Sequence, residues 1–105
     1  MLPKLRHKFH AKPTELDGIK FPSKLEARRY AELKVLREAG DVLFVLRQVP
    51  FHLPGGVTYR VDFQIFWTDG RVSFEDAKGV ATEVYRIKRR QVEALYPVTI
   101  EEYRR

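Results

Sequence analysis

Apolar and polar positions follow two different periods along this chain, and the changes of period predict its helices and strands. From residue 23 to residue 39 the apolar side chains recur at helical spacing, since Leu25, Leu33 and Leu36 share one side of a helix at about 100° per residue. Ser23 is a typical N-cap before this segment, and Gly40 is a typical helix end after it. The pattern therefore predicts a first helix that begins after Ser23 and ends near Gly40.

Glu26 lies on the inward side of this helix, between Leu33 and Tyr30 in projection. Its spacing from Ser23 is also that of a capping box, in which a glutamate side chain binds the amide of the N-cap residue. The residues alone leave two roles open, a helix cap and a functional carboxylate. The spacing by itself favours the cap.

Apolar runs and turn residues predict the remaining elements. A first strand is expected to bend, or to lie at a sheet edge, at Pro50, because proline donates no ladder hydrogen bond. Two further strands form a hairpin, and a second helix stops at Pro97. In order, these elements are strands at 42–53, 59–67 and 71–78, a helix at 82–96 and a short strand at 98–100, with a frayed end at 101–105.

The second helix carries an apolar stripe and a set of basic residues. Lys88 falls inside the stripe, and a buried lysine requires a partner. The stripe predicted to be buried consists of Val84, Ile87, Gln91, Val92 and Leu95. The basic residues expected on the outer face, either to contact phosphates or to be solvated, are Arg86, Arg89 and Arg90.

The loop of the hairpin decides which acidic side chains meet. A two-residue loop at Asp69-Gly70 would place Asp62 on the same face as Glu75. A three-residue loop with a left-handed Gly70 would instead set Asp62 opposite Asp76. We favour the three-residue loop, and Glu75 is the reserve metal ligand.

Asp76 and Lys78 carry the most specific chemistry of the chain. Alternate residues of a strand share a face, so these two side chains project together, about 7 Å apart along the strand. If Asp62 joins them, the cluster has hard oxygen ligands for Mg²⁺ and a basic group near an attacking water. Metal-assisted hydrolysis of a phosphodiester requires this combination.

Composition narrows the class of protein. The 105 residues suffice for one domain, and without cysteine there are no disulfides and no thiolate zinc sites. No apolar run approaches the roughly 20 residues that cross a bilayer, which predicts a soluble, cytoplasmic protein with no membrane partner. The net charge of +6 favours nucleic acid as the partner. Residues 1–13 are expected to form a flexible basic arm, with Lys4, Arg6 and Lys8 toward phosphates, ahead of a single domain at 14–105.

The order of elements, with the acidic residues and Lys78 placed in it, resembles the αβββαβ core of the PD-(D/E)XK nuclease superfamily. That core is an α/β (α+β), restriction-endonuclease-like fold with a mixed sheet flanked by helices. The segments at 17–27, around Asp62, at 75–79 and at 82–88 are similar to a family of small phage-encoded proteins known as domain of unknown function 1064. The similarity covers roughly residues 14–101.

The resemblance implies a divalent-metal-dependent DNA endonuclease. Asp62 and Asp76 match the acidic residues of the superfamily motif, and Lys78 matches its lysine. Glu26 matches a helix-borne acid of resolvase-like branches, and Lys88 matches a basic position on the second helix. The implied ligands of Mg²⁺ or Mn²⁺ are Asp62, Asp76, the carbonyl of Ala77 and Glu26.

The implied substrate is branched DNA of the Holliday-junction type, in the replication or recombination of a phage within its host cell. A homodimer is expected, because cutting two strands requires two sites. Two other classes remain open. One is a non-catalytic nucleic-acid-binding module that uses the arginines of the second helix and the N-terminal arm, and the other is an accessory protein of phage packaging or replication.

Overall fold

A computed structural model of the protein describes residues 13–104. Most of the proposed basic arm, including Lys4, Arg6 and Lys8, lies outside this range. The elements are β1 (Thr14–Leu16), β2 (Ile19–Phe21), α1 (Lys24–Glu38), β3 (Val42–Leu53), β4 (Val57–Trp67), β5 (Val72–Ala77), α2 (Glu83–Leu95) and β6 (Ile100–Tyr103). From α1 onward the order is αβββαβ, which confirms the expected mixed α and β fold.

The main sheet has four strands in the order β3-β4-β5-β6. The first three strands are antiparallel, and β6 runs parallel to β5. A separate two-stranded sheet, β1-β2, precedes α1. Its turn at Asp17-Gly18 has φ values of 55° and 77°, the backbone of the tight hairpin turns that glycine and aspartate favour.

Both helices begin as their capping residues predict. The Ser23 hydroxyl accepts a hydrogen bond from the Glu26 amide at 3.0 Å, and the Thr82 hydroxyl accepts one from the Tyr85 amide at 3.1 Å. Gly40, with a φ of 90°, follows the last turn of α1. The predicted bounds of both helices are therefore confirmed to within a residue or two.

The apolar core has two parts, one under each helix. Leu33 of α1 packs with Val42, Phe63 and Ile65 of the sheet. Tyr85 and Val92 of α2 belong to a second cluster, whose sheet residues are Phe51, Leu53, Tyr59, Val61 and Ile100. Each helix thus buries its own stretch of the same sheet.

Of the stripe predicted to be buried on α2, Val92 is buried, but Val84, Ile87, Gln91 and Leu95 are exposed. Val84 and Leu95 are 60% and 55% exposed, whereas Tyr85 is 6% and Val92 0% exposed. The buried face is centred on Tyr85 and Val92 because that side of the helix meets the sheet. The apolar spacing of the stripe was compatible with burial, but it did not identify the side that packs.

The last strand also differs from its prediction. It occupies Ile100–Tyr103 rather than residues 98–100, and it pairs in parallel with β5, with Asp76 opposite Glu102. Residues 101–103 are therefore part of the sheet and not a frayed end. The polar sequence of this segment gives no strand pattern, and the strand forms because it pairs with β5.

The hairpin of β4 and β5 has the three-residue loop. The Trp67 amide donates to the Arg71 carbonyl at 2.9 Å, and Gly70 is left-handed with a φ of 96°. The last ladder pair is Phe63 with Glu75. The next two positions, Asp62 and Asp76, therefore face each other at the point where the ladder ends.

The first long strand is β3, which lies at the edge of the sheet and tolerates Pro50 as expected. Gln48 in its middle has a φ of 54°, a left-handed backbone that is uncommon for a residue other than glycine. Within residues 13–104 no helix has the length and apolar character that a membrane span needs.

Candidate functional site

The two aspartates fill the gap where β4 and β5 separate. The Asp62 amide donates to Asp76 Oδ1 at 2.9 Å, and the Ala77 amide donates to Asp62 Oδ2 at 2.9 Å. Each carboxylate therefore binds the backbone of the opposite strand, in place of a ladder carbonyl. Asp62 is 9% and Asp76 1% exposed, so both are held in a nearly dry environment.

Glu26 joins this cluster from α1. The Gln48 Nε2 atom donates to Glu26 Oε2 and to Asp62 Oδ1, each at 3.1 Å, and links the helix carboxylate to the strand carboxylate. Arg47 Nη2 also donates to Glu26 Oε2, at 3.3 Å. No hydrogen bond joins the Glu26 carboxylate to the Ser23 amide within the described part of the chain. Only half of the capping box forms, and the carboxylate is directed into the cluster.

Gln48 is a site residue that the sequence analysis did not single out. Its left-handed backbone conformation occurs in the middle of β3, beside Asp62 on the neighbouring strand. The available signal was a polar pair, Arg47 and Gln48, in the middle of a mainly apolar strand. Tyr59 was also missed, and its hydroxyl donates to Asp76 Oδ2. No spacing rule distinguished Tyr59 from the other aromatic residues of β4.

Burial sets the electrostatics of the cluster. Burial and, after it, the negative charges of Glu26 and Asp76 raise the pKa of Asp62 to about 7, against the opposing effects of the Ala77 amide and Lys78. Burial likewise raises the pKa values of Glu26 and Asp76. The cluster therefore carries more negative charge than its surroundings stabilise, and it favours either a proton or a cation.

Lys78 lies at the rim of the cluster. β5 ends at Ala77, and the Lys78 amide donates to the Tyr103 carbonyl at 3.2 Å. The Lys78 ammonium is 4.7 Å from the centroid of the Tyr85 ring, and it forms no ion pair with a described carboxylate. Its charge nevertheless lowers the pKa values of both Asp62 and Asp76, so it is close to both.

The carboxylates are near one another but are not arranged as a finished metal site. Among residues 13–104 no three histidine, aspartate or glutamate side chains form a group that could hold a metal ion. The Gln48 amide lies between Glu26 and Asp62, and both oxygens of Asp76 accept hydrogen bonds. Glu75, the reserve ligand, is bound through both oxygens to Arg29 of α1 at 2.8 Å, so it is engaged in a structural ion pair.

The arginines of α2 lie next to the cluster, on the side of β6. Arg86 and Arg90 are exposed, whereas Arg89 is partly buried and pairs with Glu102 at 2.7 Å. Lys88 is partly buried as well, but it forms no hydrogen bond or ion pair with a described residue. The partner that the sequence analysis required for Lys88 is thus absent within residues 13–104.

Comparison with known proteins identifies the family. No curated protein and no solved structure gives a significant match to the chain. One family model matches residues 6–103, which is nearly the whole length. Because that match spans far more than half of the sequence, it confirms the family part of the resemblance drawn from the sequence. The chain belongs to the family described as "Protein of unknown function (DUF1064)".

Proposed function

We propose that the protein is a divalent-metal-dependent DNA endonuclease of the PD-(D/E)XK type. The observation that carries this proposal is the meeting of Asp62 and Asp76 at the open end of two strands, with Lys78 directly after the second. The superfamily motif consists of these residue types in this order. Glu26 from α1 adds the helix-borne acid of the resolvase-like branches.

The carboxylates fit Mg²⁺ or Mn²⁺ in their chemistry. Asp62, Asp76, Glu26 and the carbonyl of Ala77 offer hard oxygen ligands, which these cations prefer. The pKa values of these three carboxyls are raised, first by burial, so their ionised forms are poorly stabilised and a divalent cation would stabilise them. Binding at Glu26 and Asp62 would compete with the Gln48 amide for the same oxygens.

Each residue of the site then has a role in hydrolysis. A divalent cation, when bound, would supply an acidified water and would compensate charge on the scissile phosphate. Lys78 would orient the attacking water as an ammonium donor, or accept its proton as the neutral amine after releasing its own proton to solvent. Tyr59 and the Asp62 amide hold Asp76 in place through its two oxygens. Burial raises the pKa of Tyr59, so its hydroxyl stays protonated as the donor.

DNA is the proposed substrate because the basic residues lie beside the site. The net charge of +6 provides non-specific attraction to phosphates. Arg86, Arg89, Arg90 and Lys88 of α2 form the described part of the proposed interface, and Lys4, Arg6 and Lys8 would extend it. We further propose branched DNA of the Holliday-junction type, cut in the host cytoplasm during phage replication or recombination.

A non-catalytic function is the second candidate. It is favoured by one observation, that the Asp62 and Asp76 oxygens already accept hydrogen bonds and no three acidic groups form a metal site within residues 13–104. In that case the aspartates only close the end of the sheet. The protein would be a nucleic-acid-binding module, or an accessory of phage packaging or replication.

One assay separates these candidates. Supercoiled plasmid and a labelled four-way junction are incubated with the protein in Mg²⁺ or in EDTA. We expect cleavage in Mg²⁺, none in EDTA and binding in both, with the junction cut faster than a matched duplex. Binding without cleavage in Mg²⁺ and in Mn²⁺ would contradict the nuclease and support the module. Absence of both would leave the accessory function.

A homodimer is part of the proposal, and an uncovered face of the sheet supports it. Phe44, Phe66 and Val72 lie side by side across β3, β4 and β5. Their neighbours Val45 and Ile65 pack under α1, so these three side chains point away from that helix. Phe44 is 46% and Val72 48% exposed. The three side chains of the row are themselves uncharged, and the Arg37 guanidinium of α1 lies at one end of the row, 5.8 Å from the centroid of the Phe44 ring.

The dimer surface is tested by introducing a charge into it. We expect Phe44→Glu to convert a dimer into a monomer in light scattering coupled to size-exclusion chromatography, because a buried unpaired carboxylate opposes association. Val84→Glu, on the exposed apolar side of α2, is the matched control and should remain dimeric. A dimeric Phe44→Glu together with a monomeric Val84→Glu would place the interface on α2 instead.

A further inference from the structure

A cleft rich in arginine opens beside the acidic cluster. It has a volume of about 300 Å³. Its lining consists of Ala81, Arg86, Arg89, Arg90, Glu102 and Arg104. Four arginines and one glutamate give the lining a net charge of +3. A concave surface with this charge attracts anions more strongly than a flat one.

The Glu102 carboxylate binds two of the four arginines of this cleft. Its Oε2 atom accepts a hydrogen bond from Arg89 Nη1 at 2.7 Å, and its Oε1 atom accepts from Arg104 Nε at 3.1 Å and Nη2 at 2.6 Å. Two guanidinium groups thus hold two oxygens of one anion. Arginine binds the oxygens of a phosphate in the same way.

The other two arginines are available to a ligand. Arg86 has only a 3.8 Å contact with Glu83, and its side chain is 56% exposed. Arg90 is exposed and forms no hydrogen bond or ion pair with a described residue. An anion longer than a single carboxylate could therefore contact both of them while it also reaches Arg89 or Arg104.

The cleft is adjacent to the proposed catalytic site. Glu102 is the ladder partner of Asp76, so about one strand spacing, roughly 4.8 Å, separates their backbones. Tyr85 lies between the two regions. Its ring contacts Lys78, and its buried hydroxyl lies beside Arg89 and Glu102 without a hydrogen bond of good geometry.

We propose that this cleft binds a phosphodiester group of the nucleic acid next to the one at the acidic cluster, and that Glu102 takes the place of that phosphate in the free protein. The position of this bound phosphate next to a scissile one rests on the proposed function, but binding of a phosphate in the cleft does not require cleavage. An incoming phosphate replaces the Glu102 carboxylate at Arg89 and Arg104. Arg86 and Arg90 contact the phosphates that flank it.

Binding measured in EDTA tests the cleft apart from catalysis. Fluorescence anisotropy with a short labelled duplex, over a series of NaCl concentrations, gives the affinity and its salt dependence. We expect Arg104→Ala and Arg90→Ala each to weaken binding by roughly 3- to 10-fold and to reduce the slope of log K against log[salt] by about 1. Glu102→Gln should tighten binding by roughly 3- to 10-fold, because its neutral amide competes less well for the arginines.

Arg71→Ala is the matched control for the loss of one positive charge. Arg71 is exposed and pairs with Asp69 in the β4–β5 loop, at the far end of the hairpin from Asp76. Its removal should change the affinity by less than about twofold. Arg90 has no described partner, so its substitution tests the cleft even if Glu102→Gln or Arg104→Ala lowers the melting temperature.

The outcomes distinguish the cleft from the nuclease. If Glu102→Gln binds DNA more weakly than the wild type, a phosphate does not replace Glu102 in the cleft. If the affinities of Arg90→Ala and Arg104→Ala equal that of Arg71→Ala, the cleft is not a binding site. Cleavage that persists in such a case would leave the proposed function intact. Conversely, the expected binding changes without any cleavage in Mg²⁺ would support the cleft and contradict the nuclease.

Discussion

If the protein is the proposed nuclease, Lys78→Ala should lower the rate of DNA cleavage by roughly 10²- to 10⁴-fold, the range for loss of a positioned proton-transfer group, while DNA affinity in EDTA should change by less than about twofold. The reason is the position of the ammonium group. It follows β5 directly, and its charge acts on both Asp62 and Asp76. The measurement is single-turnover cleavage of the plasmid or the four-way junction at saturating protein.

Two further variants make this result specific. Lys34→Ala removes an exposed lysine of α1 whose pair with Asp17 contributes little to stability, and it should retain full activity. Lys78→Arg keeps the positive charge but holds its proton more tightly, so it should bind DNA and still lose most of its cleavage. Unchanged cleavage by Lys78→Ala would contradict the assignment, and so would an equal loss in Lys34→Ala.

Without metal, the protein should lose stability as the pH rises from about 5 to about 8. The pKa of Asp62 is raised from an ordinary 3.8 to about 7 by burial and by its acidic neighbours. Between these values the folded protein binds more protons than the unfolded chain, so the free energy of unfolding decreases as the pH increases. A loss on the order of 2 kcal/mol is expected, which lowers Tm by about 10 °C in a domain of this size.

Mg²⁺ should reverse this loss. At the upper end of the pH range the ionised cluster gains a cation and Tm rises by several degrees, whereas near pH 5 the proton already compensates the charge and the shift is small. Asp76→Asn should show little Mg²⁺ shift at either pH. Differential scanning calorimetry with Mg²⁺ or EDTA provides the measurement.

Two variants, Asp62→Asn and Glu38→Gln, distinguish the effect of the acidic cluster on Tm from the effect of removing any one negative charge. Asp62→Asn removes the titrating group at similar volume and should flatten the dependence of Tm on pH. Glu38 is exposed at the end of α1, so Glu38→Gln should follow the wild type. A Mg²⁺ shift of equal size in wild type and Asp76→Asn would show that the cation binds elsewhere.

The sequence predicted those features that depend on local chemistry. Ser23 and Thr82 cap their helices because a hydroxyl can satisfy a free amide of the first turn. Gly70 permits the left-handed residue of a three-residue loop, and that loop sets Asp62 opposite Asp76. The juxtaposition of the two aspartates could therefore be predicted, although the choice between the two loops could not be derived from the turn residues alone.

Features that depend on distant parts of the chain were not predictable in this way. The side of α2 that packs is decided by the sheet beneath Tyr85 and Val92, whereas apolar spacing alone favoured a side about a quarter of a turn away that shares Val92 with it. Gln48 has a left-handed backbone in the middle of β3, and its side chain reaches both Glu26 and Asp62. Strand β6 is polar, and its pairing with β5 fixes it in the fold.

The amides of Asp62 and Ala77 are held by carboxylates rather than by backbone carbonyls. In most sheets the bonds between strands do not respond to solution conditions, but here two of them end on groups that can gain a proton. Binding of a proton or a cation at the acidic cluster is consequently coupled to the pairing of β4 with β5. Whatever ligand the cluster accepts will tighten or loosen the end of the sheet that presents it.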